Sequence, residues 1–364
     1  MKSFFYNASL LLVGTVAALI VAEVLLRLWT PGVIAFKAVR VADERRHHAL
    51  KPLSSYVHST TEFTVEVRTN ANGFRDRDFP PASSGQFRIA MIGDSFTEGW
   101  GVPVDSCFAK RLERSLNATL GDDRVVVMNL GIASYSPLLE YLLMKELGPS
   151  LRPDLVIMLY DLGDGRDDSL YSRDMECDAL GIPVRIHPTE VSYGRWNILP
   201  RGDLKFLLQT RSYLYAFVTT NLIGATGAGT LSQWRSHEIY YPPTARYVLL
   251  ADELCRSLGA RFVLCVEPPG HHVGTREWQR GRLTRGFRSD SVYSSSVYDS
   301  LSALARLRSI PYLNMLDAFR RHSDGTLYFA MDPHWTSRGH AVAADTLERF
   351  LTVAGLLPQR KRIP

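Results

Sequence analysis

From Phe87 onward the chain repeats one rhythm, a short apolar run and then a segment with helical spacing, and this rhythm restricts the fold more than any other feature. The runs Phe87–Ile92, Arg124–Leu130, Leu155–Leu159, Arg261–Val266 and Tyr312–Leu316 have the length and character of buried strands. Among them lie the helix-spaced segments Phe108–Leu120, Leu138–Leu147, Ala245–Leu258 and Val292–Leu307, and Ala341–Leu351 forms a last helix. Nearly continuous apolar strands belong to a parallel sheet covered on both faces. The expectation is therefore an α/β three-layer, doubly wound sandwich with a mostly parallel five-stranded sheet, over residues 86–355. The stretch from about Gly165 to Pro243 breaks the rhythm and is rich in Asp, Arg, Tyr and Trp, so residues 165–243 read as an insertion that caps or shapes a site.

Two segments precede this domain. Ser3 to Ala22 contains no charged residue, and the apolar character continues through Val24, Leu25, Leu26 and Leu28. Roughly 20 such residues at about 1.5 Å each span a hydrocarbon layer of about 30 Å. A cleaved signal peptide would have a shorter apolar run with a small-residue cleavage site close behind it, so residues 1–29 read as one N-terminal transmembrane helix. Glu23 and Arg27 have the spacing to pair on one face, and Trp29 suits the headgroup level. Arg27, Lys37, Arg40, Arg45 and Arg46 follow the span while only Lys2 precedes it, a count that by itself favours a cytoplasmic domain. Residues 30–85, interrupted by Pro31, Pro52, Pro80 and Pro81, read as a linker and pre-domain segment, with an edge strand at Phe63–Arg68 and a turn at Asn72-Gly73.

The net charge of +5 is a modest excess, concentrated at Arg276–Arg288 and in the basic tail, residues 356–364. Arg276, Arg280, Arg282, Arg285 and Arg288, with Trp278 and Phe287, could meet an anionic glycan, and a solvated loop is the competing reading. No nucleic-acid motif accompanies them. Cys107, Cys177, Cys255 and Cys265 have no metal-knuckle or redox spacing, and Cys255 and Cys265 read as small buried hydrophobes. The run Asp161, Asp164, Asp167, Asp168 fails the calcium-loop pattern, so no metal and no cofactor is expected.

The chemistry resides at the two ends of the domain. Ile89 to Gly99 reads as a strand that turns into a helix at Gly93-Asp94-Ser95, placing Ser95 at the carboxyl edge of the sheet, where doubly wound folds build their sites. Its backbone N–H is then free to donate to an oxyanion, although a plain capping serine fits the same pattern. In Met331-Asp-Pro-His-Trp-Thr-Ser-Arg-Gly-His340, His334 has a carboxylate two residues upstream that can hold its tautomer, while Thr336 or Ser337 caps the last helix and His340 reads as structural. A serine after the first strand and an Asp-x-His before the last helix meet only in a sheet of the expected kind.

With these residues set out, the chain resembles the SGNH/GDSL hydrolase superfamily. Gly93-Asp94-Ser95 with Gly99 is similar to its first block, and Asn129-Leu-Gly-Ile-Ala-Ser-Tyr135 to its second. Asp332 and His334 are similar to the fifth block, in an Asp-x-His-Trp form like that of alginate O-acetyltransferase-like members, and Asn72-Gly-Phe-Arg75 resembles membrane-tethered members. The resemblance implies a flavodoxin-like SGNH hydrolase fold and a catalytic triad of Ser95, His334 and Asp332. It also implies an oxyanion hole formed by Ser95 and Gly131, and a domain outside the cytoplasm, periplasmic or at the cell surface. It departs at the third block, where Gly163 stands in place of the family's asparagine. Losing such a donor costs about 3–4 kcal/mol, so either another group such as a backbone N–H in the Gly163–Gly165 loop stands in, or the enzyme is slow, or the domain no longer catalyses.

The implied activity is that of a membrane-anchored serine esterase or O-acyltransferase acting through an acyl-serine, with an acetyl ester on a cell-envelope carbohydrate as substrate and, for a transferase, a membrane acyl-donor partner. Two alternatives remain: a lipid esterase or thioesterase, and a catalytically silent carbohydrate-binding or assembly module, which Gly163 supports.

Overall fold

A computed structural model describes residues 2–29, 39–60, 62–83, 85–121, 124–188, 212–218 and 241–358. Lys37, most of the expected insertion and the tail residues Arg360, Lys361 and Arg362 lie outside them.

Helix α1 (Lys2–Trp29) is long and apolar enough to cross a membrane: Ser3–Leu28 reaches a mean hydropathy of 2.5 and none of it is buried against the protein. Arg27 Nε pairs with Glu23 Oε1 at 2.9 Å. The same carboxylate accepts the N–H groups of Tyr213 and Leu214 at 2.9 and 2.8 Å, so the short helix Tyr213–Phe217 starts against α1.

The pre-domain segment is folded. Strands β1 (Arg40–Asp43) and β2 (His47–Leu50) form one antiparallel hairpin, and β3 (Ser55–Ser59) and β4 (Thr64–Arg68) form another. The edge strand expected at Phe63–Arg68 thus pairs within its own hairpin, because Tyr56, Val65 and Val67 alternate inward over a small core of their own.

The main sheet contains β5 (Phe87–Gly93), β6 (Val125–Asn129), β7 (Leu155–Tyr160), β10 (Arg261–Val266) and β11 (Tyr312–Asn314), ordered β11-β10-β7-β5-β6 and parallel at every pairing. Every residue of β5, β6 and β7 is buried, which is why these segments carry no alternation. A third antiparallel hairpin, β8 (Met175–Cys177) with β9 (Pro183–Ile186), follows β7.

After β5 the chain enters α2 (Ser95–Glu98) and then α3 (Phe108–Leu120). Helices α4 (Pro137–Leu151), α5 (Asp164–Tyr171), α6 (Pro242–Ser257), α7 (Val297–Leu307) and α8 (Ser337–Val353) complete the layers. The step from β5 to β6 runs one way along the sheet, and the steps to β7, β10 and β11 run the other. Right-handed crossovers therefore put α3, with α8 packed on it, on one face, and α4 and α6 on the opposite face. The reversal leaves a crevice at the carboxyl end of β5. The expected fold is observed. The helix expected from Val292 begins at Val297, because the residues before it lie in an extended loop. Thr336 caps α8 by accepting from the N–H groups of Arg338 and Gly339, and buried His340 accepts the Phe108 N–H at 3.3 Å, tying α8 to α3.

Candidate active site

Ser95 is the first residue of α2, separated from the end of β5 by Asp94 alone. Gly93 takes a φ of +158°, and a Cβ there would stand 2.2 Å from Thr97 Oγ1, so the turn that presents Ser95 requires glycine. Asp94 caps the helix, its carboxylate accepting the Phe96 N–H at 2.9 Å. Arg75, from the Asn-Gly-Phe-Arg block, is buried and donates to the carbonyls of Gly99 and Val102, bracing the chain just after α2.

His334 comes from the loop before α8. Its Nε2 lies 2.7 Å from Ser95 Oγ and its Nδ1 2.5 Å from Asp332 Oδ1, which also accepts the His334 backbone N–H at 2.9 Å. The three side chains that the sequence singled out are thus in hydrogen-bonded series. Trp100 stacks on the imidazole at 5.3 Å between ring centres and donates its Nε1–H to Asp332 Oδ2 at 3.3 Å. His58 of β3 packs edge-on against the same indole at 4.5 Å.

Burial pushes His334 down, but the charge of Asp332 and its hydrogen bond outweigh it, with Asp94 and Asp161 adding to them, so the imidazole ends above its ordinary value of 6.5. Burial likewise pushes Asp332 up, and the adjacent His334 more than offsets it, leaving the carboxyl below its ordinary range. A carboxylate fixed on Nδ1–H leaves Nε2 as a proton acceptor facing the serine hydroxyl.

The amides expected as oxyanion donors are distributed differently. The Ser95 N–H has no hydrogen-bond partner among the described residues. The Gly131 N–H instead donates to Asn129 Oδ1 at 3.0 Å, and the Gly163 N–H to Asp161 Oδ1 at 2.5 Å. In each case an Asn or Asp two residues upstream closes a local turn onto the glycine amide. Gly131 is required for packing, since a Cβ there would stand 2.2 Å from Glu98 N of α2. The Ser134 N–H is likewise without a partner among the described residues. Ser134 has φ +68°, unusual for a residue with a Cβ. Nothing in the sequence marks it, because its conformation is held by distant groups. Arg40 Nη1 and His48 Nε2 bond the Ala133 carbonyl at 2.8 and 3.0 Å, Glu98 accepts the Ala133 N–H at 2.8 Å, and Tyr171 donates to the Ser134 carbonyl at 2.9 Å.

A cavity of about 280 Å³ adjoins His334, walled by Phe96, Leu162, Trp278, Phe287 and Arg285. The basic stretch expected at Arg276–Arg288 is divided: Arg276, Arg280 and Arg288 are exposed, Arg282 is buried and donates to the carbonyls of Gly274 and Ser291, and Arg285 lies over the Trp278 ring at 4.6 Å. Beneath the site lies a group of buried acids. Burial pushes Asp94 and Asp168 up to about 7, and Glu140, Asp164 and Glu267 well above the carboxylate range, with repulsion between Glu140 and both Asp94 and Asp164 contributing. Asp161 and Asp164 accept backbone N–H groups within their own turn, and Asp168, inside α5, accepts the Leu138 N–H of α4.

No family model matches the chain, and no curated protein matches it. Among solved structures, it is similar to the psychrotrophic esterase EstA from Pseudoalteromonas sp. at 12% identity, covering 74% of this chain and 99% of that one, with a TM-score of 0.39. It is also similar to Axe2, an acetylxylan esterase from Geobacillus stearothermophilus, at 12% identity, covering 75% and 96%, with a TM-score of 0.41. A GDSL-like lipase from Bacteroides thetaiotaomicron is similar at 14% identity, covering 76% and 93%, with a TM-score of 0.38. Likenesses this distant are ones of outline, and the chemistry rests on the chain's own residues.

Proposed function

We propose that this chain is a serine hydrolase or O-acyltransferase of the SGNH/GDSL type, held to a membrane by α1 with its domain outside the cytoplasm. The observation that carries the reading is the series Ser95 Oγ–His334 Nε2–Asp332, at 2.7 and 2.5 Å. In the mechanism His334 takes the hydroxyl proton as Ser95 attacks an ester carbonyl, and Asp332 stabilises the imidazolium. The partnerless N–H groups of Ser95 and Ser134 are the donors best suited to the developing oxyanion. The imidazolium returns its proton to the leaving alcohol, and water or a sugar hydroxyl then resolves the acyl-serine. A cell-envelope carbohydrate is the proposed carrier of that acyl group, and a membrane acyl donor the proposed partner of a transferase.

Labelling of the purified protein with a fluorophosphonate, beside Ser95→Ala, tests the reading: Ser95-dependent labelling supports an enzyme, and its absence supports the silent module. Acetate release from acetylated glycans against fatty-acid release from lipids then separates the carbohydrate ester from the lipid ester. A pH profile follows from His334. The base must be neutral, and its folded value lies above 6.5, so kcat/KM is expected to rise with pH through an inflection above 6.5. Asp332→Asn removes the charge that raises His334 and moves the inflection down. An inflection well below 6.5 in the unaltered protein would contradict the assignment.

A further inference from the structure

The tip of the β3–β4 hairpin holds the loop that carries His334. Glu62 Oε1 accepts the Met331 N–H at 2.9 Å and Oε2 accepts the Asp332 N–H at 2.7 Å, a carboxylate bridging two consecutive amides more than 260 residues away in sequence. Next to it, Phe63 packs on Phe329 with ring centres 5.0 Å apart. A Cβ on Gly101 would lie 2.8 Å from Phe329 and 2.9 Å from Phe63, so the chain after α2 closes against the same two rings. On the far side Phe329 N donates to the His334 carbonyl at 3.1 Å. The segment from Phe329 to His334 is thus fixed from outside the main sheet, by a hairpin belonging to the pre-domain segment.

Resting on the reading proposed above, we propose that Glu62 is a positioning residue of the triad. By holding the N–H groups of Met331 and Asp332 it fixes the backbone from which the Asp332 carboxylate reaches His334 Nδ1. Asp332 has only two side-chain torsions between its backbone and that contact, so a shift of its Cα passes almost directly into the carboxylate–imidazole distance. Glu62 has no part in the proton transfer itself. The groups facing His334 are Ser95, Asp332, Asp94, Asp161 and Trp100, and Glu62 acts through Asp332 alone.

Two conservative variants break the bridge in different ways. Glu62→Asp keeps both acceptor oxygens but ends one methylene short of the amides. Glu62→Gln keeps the reach but has one carbonyl acceptor, and its NH2 group would face the second amide N–H. In the full-length protein, both variants are expected to lower kcat on an acetyl ester by about 10- to 100-fold with KM little changed. In an Asp332→Asn background neither should lower kcat further, because the residue through which Glu62 acts is gone. The imidazole titration of His334, read by NMR, gives an answer that does not need turnover. Its pKa should fall in both variants, with melting temperatures confirming that both are folded. If the His334 pKa stays at its wild-type value in the folded variants, the positioning role is overturned. If wild type fails to label at Ser95, the enzymatic reading falls while the titration still decides the role of Glu62.

Discussion

Ser95→Ala is expected to abolish fluorophosphonate labelling and to lower ester turnover by about 10⁶-fold, with His334→Ala close behind. The two effects should not add, since a serine without its base and a base without its serine are equally unable to form the acyl intermediate. Asp332→Asn keeps the shape of the site but removes the charge on Nδ1, and a loss of about 10⁴-fold is expected. Burst labelling of each variant under identical conditions, with circular dichroism to confirm folding, provides the measurement. Labelling that persists in Ser95→Ala would move the nucleophile elsewhere. A silent Asp332→Asn would mean that Trp100, which shares the carboxylate, suffices to orient the ring.

Gly131→Ala should cost both stability and activity although its backbone angles suit any residue. The added Cβ would meet Glu98 N at 2.2 Å and the Thr97 carbonyl carbon at 2.5 Å, and both belong to the backbone of α2, so no side chain can swing aside. Overpacking of this kind costs about 1–3 kcal/mol. Because α2 is the element that presents Ser95, a displacement of about 1 Å is expected to lower kcat by about 100-fold as well. Gly121→Ala is the matching control. It sits at φ +76° with nothing within 4 Å, so alanine there strains a helix end remote from the site and should lower the melting temperature while leaving kcat intact. Wild-type turnover in folded Gly131→Ala would show that α2 is not held by this contact.

The sheet was legible because its strands are buried on both faces, and burial writes itself into sequence as uninterrupted apolar runs such as Ile89–Ile92 and Val156–Leu159. The proposed nucleophile and its base were legible because each lies beside a local signal: the Gly-Asp-Ser turn at the end of β5, and the Asp-x-His loop before α8. The supporting groups were not legible. Arg40, His48, Glu62 and Arg75 act on backbone groups far along the chain, and a carbonyl or amide gives no sign in sequence of which side chain will reach it. Residues 30–85 therefore read as a linker and pre-domain segment with one edge strand, although one hairpin there holds the Ala133 carbonyl and the other the Met331 and Asp332 amides. The engagement of the Gly131 and Gly163 amides was hidden for a related reason. A glycine after a strand suggests an available N–H, but Asn129 and Asp161 close turns onto Gly131 and Gly163. The open amide at Ser134 depends on contacts from four different segments.

The hydroxyl and the imidazole that meet at 2.7 Å are separated by 239 residues of chain. During synthesis the serine emerges just after the first strand of the sheet, and stays without its proton acceptor until the loop before α8 has also been made and has docked. On the proposed reading, reactivity is withheld until that loop docks: a chain stalled or cut before it carries the hydroxyl without its base.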